Sequence, residues 1–208
     1  MNKLLFCLIL SIVLVSCTST SYIENPYLYP EIPTGLKIPV SSDELKHVAS
    51  DYMKTVEVTG DEGLWRVGDY VDNFKLPTGK HYIYTANTGV FTNSATNGSD
   101  LLVQVLCNEN DVEINLLEYG SYPISVIEDN SINVMINANG KTIDLGFGKF
   151  NESTKRIKLN KVYPLFKALV ENEVVKMYIE INDYGVSTYL FDIYSAGFEY
   201  NYHKAFLE

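Results

Sequence analysis

The chain contains three histidines, His47, His81 and His203, and no two of them are three or four residues apart. A zinc site needs several converging ligands, and a closely spaced histidine pair is its usual sequence signature. The sequence also lacks a serine nucleophile elbow, a phosphate-binding loop and a dinucleotide-binding fingerprint. We therefore expect no metal site, no cofactor and no nucleophilic catalytic centre of these kinds.

Carboxylates are numerous but form no recognisable catalytic pair. Glu113 and Glu118 share a predicted strand, whereas Asp72 lies outside it. Glycoside hydrolysis needs two carboxyl groups facing each other across a cleft at about 5 to 10 Å, and no spacing in a sequence defines that arrangement. Segments 93–100 and 108–111 are rich in Asn and Asp but lack the alternating ligands of a calcium loop. Solvated strand positions are the simplest interpretation of these charges.

The composition limits the class of partner. The formal net charge is −10 and the isoelectric point is about 4.8. An acidic chain without a basic stripe gains nothing from phosphate contacts, so we exclude nucleic acid as a partner. The sixteen tyrosines are unusual. Aromatic side chains bind sugars and partner proteins, but half-buried strands also use tyrosine, and packing is the simpler interpretation.

The N-terminus has the pattern of an export signal. Lys3 precedes a nearly unbroken apolar block from Leu4 to Val15. As a helix this block would extend about 18 Å, well short of the roughly 30 Å hydrocarbon core of a bilayer. A cationic start, a short apolar block and a small residue at its end are typical of a cleaved signal peptide, which we assign to residues 1–16.

The signal ends in Leu14-Val15-Ser16-Cys17, which resembles the lipobox of bacterial lipoproteins. The resemblance implies cleavage before Cys17 and acylation of that cysteine with fatty acids such as palmitate, so that membrane lipid becomes the first partner. It also implies export, and with Thr18 rather than Asp following, sorting to the outer membrane in a Gram-negative cell. Stable attachment takes two or more acyl chains, because one chain binds only marginally.

Cysteine usage agrees with this processing. Cys7 would leave with the signal and Cys17 would become a thioether, so only Cys107 would keep its thiol. The mature chain could then form no intramolecular disulfide. Cys107 ends the apolar run 101–106, which predicts an inert core thiol.

The rest of the chain divides into a tether and one domain. Four prolines within residues 17–40 favour an extended, semi-rigid tether after the lipidated cysteine. Residues 41–208 are predicted to form a single β-sandwich domain with a leading helix over 42–57, capped by Ser41 or Ser42 and stopped by Gly60. A second short helix is predicted from Pro164 to about 172, and a closing helix carries Phe198, Tyr202, Ala205 and Phe206.

Between these helices, short β-branched and aromatic runs alternate with Gly, Asn and Asp. Such runs separated by turn residues predict antiparallel strands, and Asn139-Gly140 is a favoured hairpin turn. The fold class expected is mainly β, an antiparallel sandwich or flattened barrel of about eight strands with two or three short peripheral helices. The clearest runs are 65–71, 82–86, 101–106, 112–119, 132–136, 156–159, 174–181 and 187–193.

Residues 65–120 carry a second resemblance. The segments YVDxF from Tyr70, TG at 78–79, GVFTNSAT at 89–96 and EYG at 118–120 resemble the YVDEFGD, TG, GTFSNSAT and EYG segments of a set of uncharacterised bacterial and phage-associated proteins. The resemblance implies a shared β domain and carries no named activity. It singles out a loop or surface site with these polar residues: Asp72, Asn93, Ser94, Thr96 and Ser99.

These observations predict a lipid-anchored envelope protein that acts as a binding or structural module, with an envelope protein or glycan as its partner. A glycan or peptide hydrolase of the envelope is one alternative, and an inhibitor or phage-exclusion protein is another. A hydrolase would require a deep cleft with convergent titratable groups of shifted pKa. A binding module would instead expose an aromatic or apolar patch.

Overall fold

The computed structural model describes residues 42–58, 60–126, 132–183 and 185–208. The predicted signal peptide (1–16), the lipidation site Cys17 and the tether (17–40) lie outside these residues. Within them, no helix combines the length and apolar character needed to cross a bilayer.

The described residues form three helices and eleven strands, which confirms the predicted mainly β, antiparallel fold. The helices are α1 (Ser42–Met53), α2 (Tyr163–Glu171) and α3 (Phe198–Phe206). The strands are β1 (Arg66–Val71), β2 (Pro77–Thr92), β3 (Ser99–Cys107), β4 (Val112–Glu118), β5 (Tyr122–Pro123), β6 (Ile132–Ala138), β7 (Lys141–Phe147), β8 (Lys149–Asn151), β9 (Arg156–Lys158), β10 (Val174–Asn182) and β11 (Val186–Tyr194).

The leading helix is shorter than predicted. It ends at Met53 rather than at residue 57, and a turn follows in which the N–H of Val56 donates to the carbonyl of Met53. Thr55, Val56 and Val58 are β-branched, and such side chains lose χ1 freedom in a helix. The run after Met53 therefore favours a turn and extended chain over another helical turn.

Period-two burial builds the sheet around one core. In β3, Leu101, Val103, Val105 and Cys107 are buried and the residues between them are partly exposed or exposed. The same alternation runs through β6. Because successive side chains of a strand point to opposite faces, one face of each strand enters the interior.

The sheet is a nearly closed barrel. Its strand order is β7-β6-β10-β11-β2-β3-β4-β9-β8, with β1 added beside β2 and β5 beside β4. The two ends of this order, β7 and β8, are separated in the chain by Gly148 alone. One segment thus pairs with β6 through its first half and with β9 through its second half, which leaves about eight strands around the barrel. Side chains can fill a barrel of that size.

Gly148 is the point at which this segment changes partner. A Cβ at Gly148 would lie 2.6 Å from Cγ2 of Ile157 and 3.1 Å from Cγ2 of Ile132. Both isoleucines are fully buried. We expect Gly148→Ala to lower the free energy of unfolding by about 1 to 3 kcal/mol, the usual cost of overpacking a core.

This prediction is checked by guanidinium unfolding monitored through Trp65, the single tryptophan of the chain. Gly60→Ala is the matched control, because nothing lies within 4 Å of a Cβ at Gly60. Equal stability of the two variants would contradict the packing described for Gly148.

The helices lie at the end of the barrel where β11 finishes. There, the indole N–H of Trp65 donates to the carbonyl of Tyr194 at 2.9 Å, and the hydroxyl of Tyr202 donates to the carbonyl of Glu109 at 2.7 Å. Trp65, Phe166, Phe198 and Tyr202 are all fully buried, and the ring of Phe198 contacts the other three. This aromatic cluster joins α2 and α3 to the barrel.

Cys107 is fully buried, as the sequence predicts, and burial raises the pKa of its thiol. Since the thiolate is the reactive form, both effects suppress its chemistry. A thiol-specific reagent is expected to label the native mature chain slowly and the guanidinium-unfolded chain fast, as followed by mass spectrometry. Rapid labelling of the native chain would show that the thiol is accessible.

Candidate binding sites

Asp72, one of the residues singled out by the sequence, organises the loop between β1 and β2. Its carboxylate accepts hydrogen bonds from the backbone N–H groups of Phe74 at 2.8 Å and Leu76 at 2.9 Å. Its own N–H donates to the carbonyl of Leu76 at 2.9 Å. This is the turn chemistry that short polar side chains favour. Asp72 therefore shapes a loop.

The loop between β2 and β3 is held in the same way by its own side chains. The side-chain oxygen of Asn93 accepts hydrogen bonds from the N–H groups of Ala95 at 2.9 Å and Thr96 at 3.1 Å. The hydroxyls of Thr96 and Ser99 are hydrogen-bonded to each other. Ser94 is exposed. Three of the four residues singled out in this loop thus have partners within it.

These two loops lie at opposite ends of β2. Asp72 is close to Pro77, where the strand begins, and Asn93 follows Thr92, where it ends. A straight strand of this length would separate them by about 50 Å. The five residues singled out by the sequence therefore do not form one site.

A pair of exposed tyrosines lies beside the loop at 93–98, at the end of the barrel that we call the mouth. Tyr119 and Tyr122 flank the turn between β4 and β5, and these residues are 53% and 66% exposed. The ring centroids are 6.5 Å apart and the planes cross at 81°. The N–H of Tyr119 donates to the carbonyl of Asp100 at 2.8 Å. We call these two residues the mouth tyrosines.

Tyr119 occupies a backbone position that suits smaller residues. Its φ is 52° and that of Gly120 is 74°. Asn139 and Gly140 have nearly the same values, 52° and 77°, in the turn between β6 and β7. Left-handed φ is common for Asn and Gly and costs about 1 to 2 kcal/mol for other residues. The strained position of Tyr119 holds a large aromatic ring at the mouth.

Buried groups support the mouth tyrosines from below. The ring of Phe91 meets that of Tyr119 edge-on at 5.0 Å and stacks on that of Tyr189 at 6.1 Å. The hydroxyl of Tyr189 donates to Glu118 at 2.9 Å, although β2 and β3 lie between their strands in the sheet. Burial, together with the Glu118 carboxylate, raises the pKa of Tyr189. These contacts fix the direction of the Tyr119 ring, which in turn contacts the Tyr122 ring.

The sequence reasoning missed the mouth tyrosines as a site. EYG enters only as part of a resemblance, and the number of tyrosines is explained most simply by packing. One available signal was Tyr119-Gly120 itself, since a turn between two strands with tyrosine at the first position departs from the usual Asn-Gly or Asp-Gly.

A second exposed surface lies at the opposite end of β2. Phe74, Leu76 and Val71, in and beside the β1–β2 loop, are 83%, 61% and 54% exposed. We call these three residues the hairpin tip. Along the same two strands, Tyr82 contacts Tyr70 at 4.9 Å and Tyr84 at 5.8 Å between ring centroids. The hydroxyl of Tyr70 donates to Asn108 at 2.7 Å and anchors this ribbon to the β3–β4 turn.

The two histidines whose side chains are described both have partners within the fold. His81 contacts Asp69 across β1 and β2 at 2.7 Å, and Nε2 of His203 lies 3.0 Å from the carbonyl oxygen of Met53. The side chain of His47 lies outside the described residues. Among the described residues, no three His, Cys, Asp or Glu side chains form a group that could hold a metal ion.

The fold and these surfaces define an antiparallel β protein, a nearly closed barrel with helices at one end and the mouth tyrosines at the other. Comparisons with protein-family models, with curated proteins and with solved structures find no match.

Proposed function

We propose that the chain is a lipid-anchored protein of the cell envelope that acts by binding an envelope partner, a glycan or a protein, at the mouth tyrosines. The observation that carries this proposal is the pair of exposed, perpendicular rings of Tyr119 and Tyr122. Tyrosine combines an apolar face with a polar hydroxyl, which suits both sugar rings and partner proteins.

The strain at Tyr119 supports the same proposal. A turn with φ of 52° would accept Asn without cost, as it does at Asn139 in this chain. The contact with Phe91 offsets part of the cost, yet Tyr119 remains 53% exposed. Strained residues held by a well-packed surrounding are concentrated at functional sites.

The acyl anchor on Cys17 places this site at a membrane. The chain carries a net charge of −10, and an anionic lipid surface repels an acidic body. The acyl chains rather than protein charge therefore supply the attachment, and export through the signal at residues 1–16 puts the domain in the envelope.

The experiment compares Tyr122→Ser with Tyr194→Ser in the full, acylated chain expressed in its own cells. Tyr194 is also exposed, at 45%, but lies at the helix end of the barrel. Two measurements are made: co-sedimentation with purified cell-wall glycan, and photo-crosslinking to envelope proteins from a probe at residue 121. We expect Tyr122→Ser to lower capture in one of the two by tenfold or more and Tyr194→Ser to leave it unchanged.

Equal capture by both variants would overturn the assignment of the binding site. Release of soluble glycan fragments by the unaltered chain would favour the alternative function, a hydrolase of the envelope, over a binding module. A chain that keeps residues 1–16, or a free thiol at Cys17, would overturn the anchor, and intact mass spectrometry of the native protein measures both.

A further inference from the structure

We propose that the hairpin tip inserts into the lipid interface of the membrane that carries the anchor, so that the barrel stands with its mouth directed away from the bilayer. The inference rests on the proposed lipid anchor, but it concerns a different part of the chain. The occupant of this surface is the bilayer itself rather than a partner protein.

The hairpin tip is apolar, and three backbone N–H groups of its loop are hydrogen-bonded within the loop. Phe74 is 83% exposed, in a loop whose N–H groups at Phe74, Lys75 and Leu76 all donate to Asp72. Backbone groups that enter a region poor in water must find partners inside the chain. A loop that already bonds its N–H groups internally loses little when it leaves water.

The charge of the hairpin differs from that of the chain. Residues 66–84 contain the cations Arg66, Lys75 and Lys80 against Asp69 and Asp72, a net charge of +1, whereas the whole chain carries −10. Asp69 contacts His81, and the Asp72 carboxylate is turned toward its own loop. The hairpin therefore complements an anionic headgroup layer that repels an acidic domain.

Lys75 and Lys80 flank the apolar tip. No carboxylate within the described ranges lies at ion-pair distance from either ammonium group. Long cationic side chains beside an inserted apolar residue extend back to the headgroups. This leaves both lysines available to anionic lipid.

Aromatic residues continue the surface behind the tip. Tyr70, Tyr82 and Tyr84 form a row of ring contacts along β1 and β2. Gly68 makes room for this row, because a Cβ there would lie 2.5 Å from the Tyr82 ring. Tyrosine is enriched at the level of the headgroups, where one end of the side chain is apolar and the other is hydrated.

The same strand that begins at the hairpin ends at the mouth. β2 runs from Pro77 to Thr92, and Thr92 is followed by the loop beside the mouth tyrosines. Insertion of the tip would therefore direct Tyr119 and Tyr122 away from the bilayer, toward the envelope partner of the proposed function.

The test measures the depth of single fluorophores in the acylated full chain, reconstituted in vesicles of phosphatidylethanolamine and phosphatidylglycerol with nitroxide-labelled lipid. Leu76→Cys carries the probe at the tip and Val186→Cys carries it at the other end of the barrel. These positions are matched in exposure, at 61% and 54%, and Cys107 is buried and does not compete for the label. We expect a blue-shifted emission and at least threefold stronger quenching at residue 76 than at residue 186.

A second variant tests the role of the apolar tip. Phe74→Ser in the Leu76→Cys background is expected to abolish the blue shift while vesicle flotation through the acyl anchor persists. Equal quenching at residues 76 and 186 in a chain that floats with vesicles would overturn insertion and leave the anchor standing. A probe shielded only after envelope proteins are added would likewise overturn it, because the hairpin would then bind protein. A chain that does not float would overturn both proposals.

Discussion

Gly197→Ala is expected to lower the free energy of unfolding by more than about 4 kcal/mol, or to prevent folding, since this combines backbone strain with a steric clash that the fold cannot relieve. Gly197 has a φ of 86°, and a Cβ on it would overlap the carbonyl group of Glu62. A side chain at left-handed φ costs about 1 to 2 kcal/mol by itself.

The backbone segments around Glu62 and Gly197 cannot move apart to relieve the clash, because hydrogen bonds join them on both sides of the contact. The N–H of Leu64 donates to the carbonyl of Ala196 at 2.7 Å, and the side-chain amide of Asn201 donates to the carbonyl of Glu62 at 2.7 Å. A Cβ on Gly63, which faces Gly197, would overlap the carbonyl of Ala196 in turn. This crossing connects the segment before β1 to the segment after β11.

Gly79→Ala is the matched control. Gly79 has a φ of 72°, but nothing lies within 4 Å of its Cβ position. It isolates the cost of backbone strain, and the difference between the two variants measures the clash. Guanidinium unfolding followed by Trp65 fluorescence reports both. A Gly197→Ala variant within about 1 kcal/mol of Gly79→Ala would contradict the close approach of the two backbones.

The sequence predicts those strands in which apolar residues recur at every second position within the strand itself. From Leu101 on in β3, and throughout β6 and β10, every second residue is apolar and buried, and these strands agree with the predicted runs at 101–106, 132–136 and 174–181. The segment from Lys141 to Asn151 was not predicted as strand. Gly146, Gly148 and two lysines interrupt its alternation. This segment is a strand because it pairs with β6 through its first half and with β9 through its second half. A local sequence pattern does not indicate such pairing.

In the candidate sites, too, the features that depend on local sequence can be predicted, and those that depend on contacts between distant segments cannot. Turn-forming residues such as Asp72 and Asn93 can be recognised from the sequence, and the structure uses both in turns. Whether the exposed rings of Tyr119 and Tyr122 lie together depends on the short strand β5 and on the buried ring that contacts Tyr119. Phe91 and Tyr189 come from β2 and β11, far along the chain from Tyr119. Strand pairing creates this arrangement, so the sequence alone could not predict it.

Buried acidic groups make the fold sensitive to alkali. Burial raises the pKa of the Cys107 thiol and of the Tyr202 hydroxyl, and burial together with Glu118 raises the pKa of Tyr189. In the unfolded chain a cysteine ionises near pH 8.5 and a tyrosine near pH 10, as model peptides do. Above those values the unfolded chain has released protons that the native chain retains, so stability falls as pH rises.

The expected size of this effect is large. Each group contributes a loss of about 1.4 kcal/mol per pH unit once its ordinary pKa is passed. Stability should therefore be independent of these groups below about pH 8, fall gently from about pH 8.5 through Cys107, and fall by about 4 kcal/mol per pH unit above about pH 10 through all three. Guanidinium midpoints between pH 7 and pH 12, followed by Trp65 fluorescence, measure the profile.

Tyr189→Phe separates one group from the other two. It removes the hydrogen bond to Glu118 and lowers stability at pH 7 by about 1 to 3 kcal/mol, since the half-buried Glu118 carboxylate loses this donor. Above about pH 10 it should reduce the slope by about 1.4 kcal/mol per pH unit, the contribution of one group. The unaltered chain is the reference for this slope. If Tyr189→Phe and the unaltered chain gave the same alkaline slope, Tyr189 would not be buried in the native chain, and its contact with Phe91 beneath Tyr119 would not be as described.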